Sequence, residues 1–173
     1  MKVQPATISD LPVAQKAYAA GRHIQREQSS VVWPEFSDLS ILAEIAAGRL
    51  LRIVDRDDVA GVFSVAYEDP AIWGEAEQGA HIYLHRIART ADSRGRGLID
   101  AVLGWAHAQC CALGRAGLRM DTWASNTALI SYYERLGFRR VGTRRIGSDP
   151  RLPPHYHGVE FALLEQPADV MTS

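Results

Sequence analysis

Residues 81–105, HIYLHRIARTADSRGRGLIDAVLGW, decide how this chain is read. From His81 to Arg89 the sequence is rich in β-prone apolar residues. It then enters a basic glycine turn, Ser93-Arg94-Gly95-Arg96-Gly97, that opens a helix. Glycines let backbone N–H groups converge, and the first turn of a helix leaves its own N–H groups unpaired. A strand, a glycine turn and a helix in this order therefore build an anion cradle that fits a pyrophosphate. The bland counterpart is a tight strand-to-helix turn with two solvated arginines. Spacing excludes two familiar phosphate signatures. A dinucleotide fingerprint needs a third small residue where Asp100 stands. A Walker loop needs Gly-Lys-Ser/Thr, and the only lysines are Lys2 and Lys16.

A second block follows downstream: a strand Gly117 to Trp123, then Asn126, a helix, and Tyr132-Tyr133-Glu134-Arg135-Leu136-Gly137-Phe138. Together the two blocks resemble the GNAT superfamily of N-acetyltransferases. The family's cofactor loop reads Gln/Arg-x-x-Gly-x-Gly/Ala. Gly95 and Gly97 take its small positions, while Asp92 stands where Gln or Arg is usual. Asn126, Tyr133 seven residues on, and Gly137-Phe138 meet the second block without a gap. The motifs cover residues 81–140, and element order carries the rest.

The resemblance implies an α/β fold of the GNAT (acyl-CoA N-acyltransferase) type, a mixed seven-stranded sheet with splayed parallel central strands and flanking helices. It implies acetyl-CoA as cosubstrate, with the pantetheine arm lying in the opening between those strands. The backbone of Ile87, Ala88 and Arg89 would grip that arm, and Arg94, Gly95, Arg96, Gly97 and Leu98 would hold the pyrophosphate. Asn126 and Tyr133 would add cofactor contacts, although Asn126 fits an ordinary helix N-cap equally well. An acid at Asp92 is unhelpful beside a pyrophosphate, so the arginines and amides are expected to carry the binding.

The implied chemistry is direct attack of a neutral amine on the thioester, with proton removal from the amine and proton donation to the departing thiolate. Tyr133 is the expected donor, since a phenol with a reference pKa of about 10 donates without being acidic at rest. For the base, His81 and His85 share one strand face, and Arg119, Asp121 and Trp123 share a face of the next. His85 is the better placed, with Asp121 to orient it. Two readings stand: a catalytic base, or a buried structural pair with Asp121. Many relatives use a water chain instead. Trp33 and Glu35 are weaker candidates for contact with an amine, through an aromatic face and a carboxylate. His155 and His157 lack a third ligand at fixed spacing, so no metal is expected.

With 173 residues and 47% hydrophobic content the chain can bury a full core, and residues 1–173 read as a single domain. No segment nears the roughly 20 apolar residues of a membrane span, and the N-terminus shows no secretory pattern, so a cytoplasmic location is expected. Nineteen basic against 20 acidic residues give no general field for nucleic acid or a membrane surface, so any basic patch must be local. The expected partner is a small-molecule amine or a peptide amino group, and the chain a monomer or homodimer. The leading function is an acetyl-CoA-dependent N-acetyltransferase. The alternative is a catalytically degenerate GNAT domain acting as a CoA-binding sensor or scaffold. Adjacent Cys110 and Cys111 diverge on a helix and make no disulfide framework.

Patterning gives a strand over Lys2–Ala6 and a helix from about Leu11 to Ala20, broken at Gly21-Arg22. Residues 22–37 are irregular, a helix covers Asp38–Ala47, and a hairpin joins Leu50–Val54 to Val59–Tyr67. Residues 68–80 form a loop. The helix after Gly97 buries Ile99, Val102, Leu103, Ala106, Cys110 and Leu113 and stops at Gly114. Strands at Arg139–Ile146 and Val159–Leu164 close the chain.

Overall fold

A computed structural model describes residues 1–28, 31–93, 97–148 and 156–168. The elements run β1 (Lys2–Pro5), α1 (Leu11–Gln28), α2 (Asp38–Ala46), β2 (Leu50–Asp55), β3 (Asp58–Ala66), α3 (Pro70–Trp73), β4 (His81–Arg89), α4 (Leu98–Leu113), β5 (Gly117–Trp123), α5 (Thr127–Arg135), β6 (Arg139–Arg145) and β7 (Glu160–Pro167). The strands form one seven-stranded mixed sheet in the order β1-β2-β3-β4-β5-β7-β6. The β4–β5 pair is parallel, as a strand, crossover helix, strand unit requires. Its ladder holds three residue pairs, from His81↔Gly117 to Tyr83↔Arg119, although the strands have nine and seven residues.

The chain divides into two compact units, Met1–Val65 with Leu84–Ala106, and Ala66–Tyr83 with His107–Ser173. In the first, α1 turns Leu11, Ala14 and Tyr18 inward at helical spacing, onto Ile41 and Ile45 of α2 and onto Leu50, Val62 and Ala88 of the strands. Ser37 caps α2 by accepting a hydrogen bond from the Ser40 amide at 3.2 Å. The β2–β3 hairpin pairs Asp55 with Asp58 across Arg56-Asp57, and Arg56 adopts φ +55°, the left-handed geometry that tight hairpins demand. In the second unit, Ile72, Trp73, Tyr83 and Leu163 form a core, and β7 is hydrogen-bonded between β5 and β6.

Four expectations are corrected. Helix α1 passes through Gly21 and continues to Gln28, so the break at Gly21-Arg22 does not exist. Gly21 has a packing role: a Cβ there would stand 3.0 Å from the Trp33 ring. Residues 22–28 are helical rather than irregular. The stretch 68–80 is not a plain loop, because Asp69 caps α3 and a 3-10 turn spans Gly74–Ala76. On α4, Leu113 is 51% exposed and Leu98 is buried in its stead.

Candidate functional site

The cofactor-loop segment is built from the end of β4 and the start of α4. Within β4, Arg86 adopts φ +51°, a left-handed conformation that costs a residue with a Cβ about 1–2 kcal/mol. Three contacts hold it. Its guanidinium lies 3.0 Å from the Glu44 carboxylate, donates to Ser64 Oγ at 3.1 Å, and sits 5.3 Å from the centroid of Phe36. Glu44 also pairs with Arg49 at 2.9 Å. Burial works to raise the Glu44 pKa, but the hydrogen bond from Arg49 and the charges of Arg86, Arg49 and His85 outweigh it and hold the carboxyl below the usual carboxylate range. Burial pushes the Tyr18 phenol up, against the opposing charge of Arg86.

The left-handed residue turns the strand just before Ile87, Ala88 and Arg89. Ala88 is buried, and Arg89 donates to the Ser93 carbonyl at 2.6 Å. Thr90 donates its amide to the Ala60 carbonyl at 2.9 Å. Gly61 on β3 lies so close to this turn that a Cβ would meet the Ala88 carbonyl at 2.6 Å and a Leu98 methyl at 2.8 Å. Gly97 takes φ +73° and accepts from the Ala101 amide at 3.0 Å, which begins α4. The next residues, Leu98 and Ile99, present amide groups at a helix N-terminus. Asp92 is exposed. Arg94, Gly95 and Arg96, on which the cradle expectation centres, lie outside the described residues, as does His155.

In the second unit Asn126 is the N-cap of α5 and accepts from the Leu129 amide at 3.1 Å, which supports the cap reading of that residue. Tyr133 lies on the same helix, partly buried, with its ring edge-on to Phe138 (5.8 Å) and Tyr132 (5.4 Å). Burial, helped by the neighbouring phenol of Tyr132, pushes its pKa well above that of a free tyrosine. Gly137, at φ +93°, turns the chain out of the helix and sets Phe138 against that ring.

On β4 and β5, His81 and Arg119 are engaged by partners within the second unit. Arg119 forms a fork on Glu165 (2.8 and 2.9 Å), donates to Tyr83 Oη at 3.2 Å and to the Ala76 carbonyl at 2.8 Å, and stacks 4.3 Å over Trp73. His81 Nε2 lies 3.5 Å from Glu165, and burial followed by the Arg119 charge pushes the His81 pKa down. These residues hold the second unit together. His85 belongs to the first unit and Asp121, on β5, to the second.

Trp33 packs against Gly21, Tyr18 and Phe36, as an anchor of its segment does. Glu35 lines a cavity of about 610 Å³ in the first unit with Gln15, Arg22, Phe36 and Asp38, and lies 3.5 Å from Arg22. Sequence reasoning missed Glu44, Ser64, Gly61 and Arg86. Gly61 alone left a signal, since a glycine inside a strand marks close approach of another backbone.

Comparison with known proteins agrees with this geometry. The model of the Acetyltransferase (GNAT) family matches residues 18–138. An uncharacterized N-acetyltransferase, YesJ of Bacillus subtilis, is 34% identical over 79 residues, 46% of this chain and 44% of that protein, so the chain spans less than half of the relative it matches. Among solved structures, a GNAT-family acetyltransferase from Listeria monocytogenes superposes with a TM-score of 0.72 at 20% identity, covering 95% of this chain and 93% of that one. YncA of Salmonella typhimurium, a putative acetyltransferase solved with acetyl-CoA, gives 0.65 at 14% identity over 100% and 96%. No described helix is long and apolar enough to cross a membrane. The family match spans well over half of the sequence, and the fold agrees with it from end to end: this chain belongs to the GNAT family of acetyltransferases.

Proposed function

We propose that this chain is an N-acetyltransferase that moves the acetyl group of acetyl-CoA to a primary amine of a small molecule or peptide by direct attack. The observation that carries the proposal is Tyr133, a phenol with a raised pKa at the motif position, inside the segment that matches the family. Acetyl-CoA supplies an activated thioester. The chain would bind it through the backbone of Ile87, Ala88 and Arg89 and through the turn from Arg94 to Leu98, with Asn126 and Tyr133 adding contacts. Tyr133 stays protonated throughout the neutral range and so is equipped to donate as the C–S bond breaks. The amine nitrogen forms the new C–N bond and loses its proton to His85 or to water. Asp121 remains a candidate for supporting that proton transfer. The family match runs through both compact units, which supports treating residues 1–173 as one catalytic domain.

The deciding experiment is thiol release from acetyl-CoA across a panel of amines, run with wild type and Tyr133→Phe. The variant is expected to bind acetyl-CoA normally, because the ring and its packing on Phe138 are retained, and to turn over about ten- to a thousandfold more slowly. Wild-type turnover in the variant returns Tyr133 to a packing role. Exposed Asp92 in the cofactor loop favours one second reading, a CoA sensor, for which CoA raises the melting temperature and no amine releases thiol.

A further inference from the structure

Gln166 stands near the end of β7, the strand hydrogen-bonded between β5 and β6, and is 1% exposed. A primary amide taken out of water needs partners for both its NH2 and its oxygen. Gln166 finds them on two helices: Nε2 donates to the Leu136 carbonyl at 2.8 Å, and Oε1 lies 3.1 Å from Nε2 of His107 on α4. All three residues belong to the second unit. A carbonyl oxygen can only accept, so the NH2 of the amide must face Leu136 and its oxygen must face the imidazole. His107 Nε2 therefore carries the hydrogen. Its Nδ1 is left as a bare acceptor, buried and without a partner among the described residues. The end of α5 thus sets the orientation of the amide, and the amide sets the tautomer of the imidazole.

Leu136 is the C-cap of α5, the helix that carries Tyr133. Its amide donates to the Tyr133 carbonyl at 3.0 Å, and the Phe138 amide donates to the same oxygen at 3.1 Å. Phe138 also packs its ring edge-on to that of Tyr133, 5.8 Å between centroids. The last carbonyls of a helix have no partner within it, and a helix end whose carbonyls go unmet frays. The Leu136 carbonyl is one of these, and Gln166 supplies its donor. One buried amide therefore ties down the turn that holds Tyr133 twice by its backbone and once by its ring.

We propose that Gln166 and His107 are positioning residues for acetyl transfer: the hydrogen bonds running from α4 through β7 to Leu136 fix the end of α5 and so aim the Tyr133 phenol. The proposal rests on the reading of Tyr133 as proton donor. A displacement of about 1 Å in a reacting group can slow a reaction by about a hundredfold, so a small release of this turn is enough to register. Gln166→Met keeps an unbranched side chain of similar length and removes both bonds. In amine-dependent thiol release it is expected to lower kcat by at least about tenfold and to change the KM for acetyl-CoA by less than about twofold, because the phenol acts as the C–S bond breaks. The full chain labelled with fluorotyrosine gives a readout that a purely structural role would not move. The fluorine resonance of Tyr133, identified as the one lost in Tyr133→Phe, is expected to shift or broaden in Gln166→Met, while that of Tyr18, in the first unit, holds. His107→Leu is expected to slow turnover in the same way, and His107→Gln, whose amide N–H replaces Nε2–H, to restore it.

A Tyr133 resonance that stays in place in folded Gln166→Met overturns the proposal whatever happens to the rate, and so does a wild-type kcat in that variant. Should Gln166→Met fail to fold, Gln166→Glu keeps the length and the bond from His107 but, as a carboxylate, cannot donate to Leu136; the same two results there overturn the proposal. A loss in His107→Gln as large as that in His107→Leu removes His107 from the chain of bonds and leaves Gln166 as the positioning residue. The two levels of failure are distinguishable. Thiol release that Tyr133→Phe leaves unchanged overturns the donor reading, and this role with it, whereas a slow Tyr133→Phe beside a fast Gln166→Met overturns the positioning role alone.

Discussion

Arg86 tests whether the turn in β4 is held against a real backbone cost. Replacing it by Ala removes the charge-assisted bond to Glu44, the bond to Ser64 and the stacking on Phe36. Glu44 keeps Arg49 at 2.9 Å, so its carboxylate is not stranded. The pair is mostly buried, with side-chain exposures of 21% and 19%, so solvent screening does not erase its worth. A bond to a charged group contributes about 1.5–3 kcal/mol and the cation–π contact about 0.5–1 kcal/mol, which puts Arg86→Ala at about 2–4 kcal/mol of lost stability.

Arg86→Gly loses the same contacts but sheds the left-handed penalty of about 1–2 kcal/mol, at a cost of about 0.4–1 kcal/mol in unfolded-chain entropy. The Gly variant is therefore expected to be about 0.5–1 kcal/mol more stable than the Ala variant, reversing the usual order of these two residues in a strand. Urea unfolding followed by circular dichroism measures this difference from the two midpoints at a common slope. An Ala variant as stable as the Gly variant, or more so, refutes a strained Arg86, and with it the idea that this side chain pins the strand ahead of Ile87.

Three further outcomes follow from the same geometry. Glu44→Gln should cost about 1–2 kcal/mol at pH 7. The folded pKa of Glu44 lies below its unfolded value, so the stability it contributes is present above the unfolded pKa and lost as pH falls through the folded one; the gap between wild type and variant must close on acidification below about 4.5, and a gap independent of pH refutes the assignment. Gly61→Ala should destabilise by about 1–3 kcal/mol and raise the KM for acetyl-CoA, since its Cβ presses on the Ala88 carbonyl and Leu98; unchanged melting and KM would show that β4 yields freely. His85→Gln should fold normally, lower turnover and remove the acidic limb of the pH–rate profile if the imidazole is the base, whereas a stable variant that keeps both rate and limb assigns deprotonation to water.

By itself the sequence determined what depends on neighbours along the chain. The period-two runs gave β4 and β5, the helical stripe gave α4, and a strand, helix, strand unit left only a parallel pairing. Asn126 was legible as a helix cap, and Tyr133 and Gly137-Phe138 through the spacing they share with the GNAT motif. Tertiary structure decided whatever depends on residues far apart. Gly21 reads as a helix breaker until Trp33 is seen packed on it, since intrinsic propensity is a weak term that a packed aromatic outweighs. Arg86 looks like an ordinary strand residue, and its left-handed backbone exists because Glu44 and Ser64, 42 and 22 positions away, compensate it. Arg119 and Arg144 are both arginines of strands, yet Glu165 neutralises the first, while the guanidinium of the second lies against the Gly74 turn. No local pattern separates them, because the charge a side chain faces is set by which distant segment folds against it.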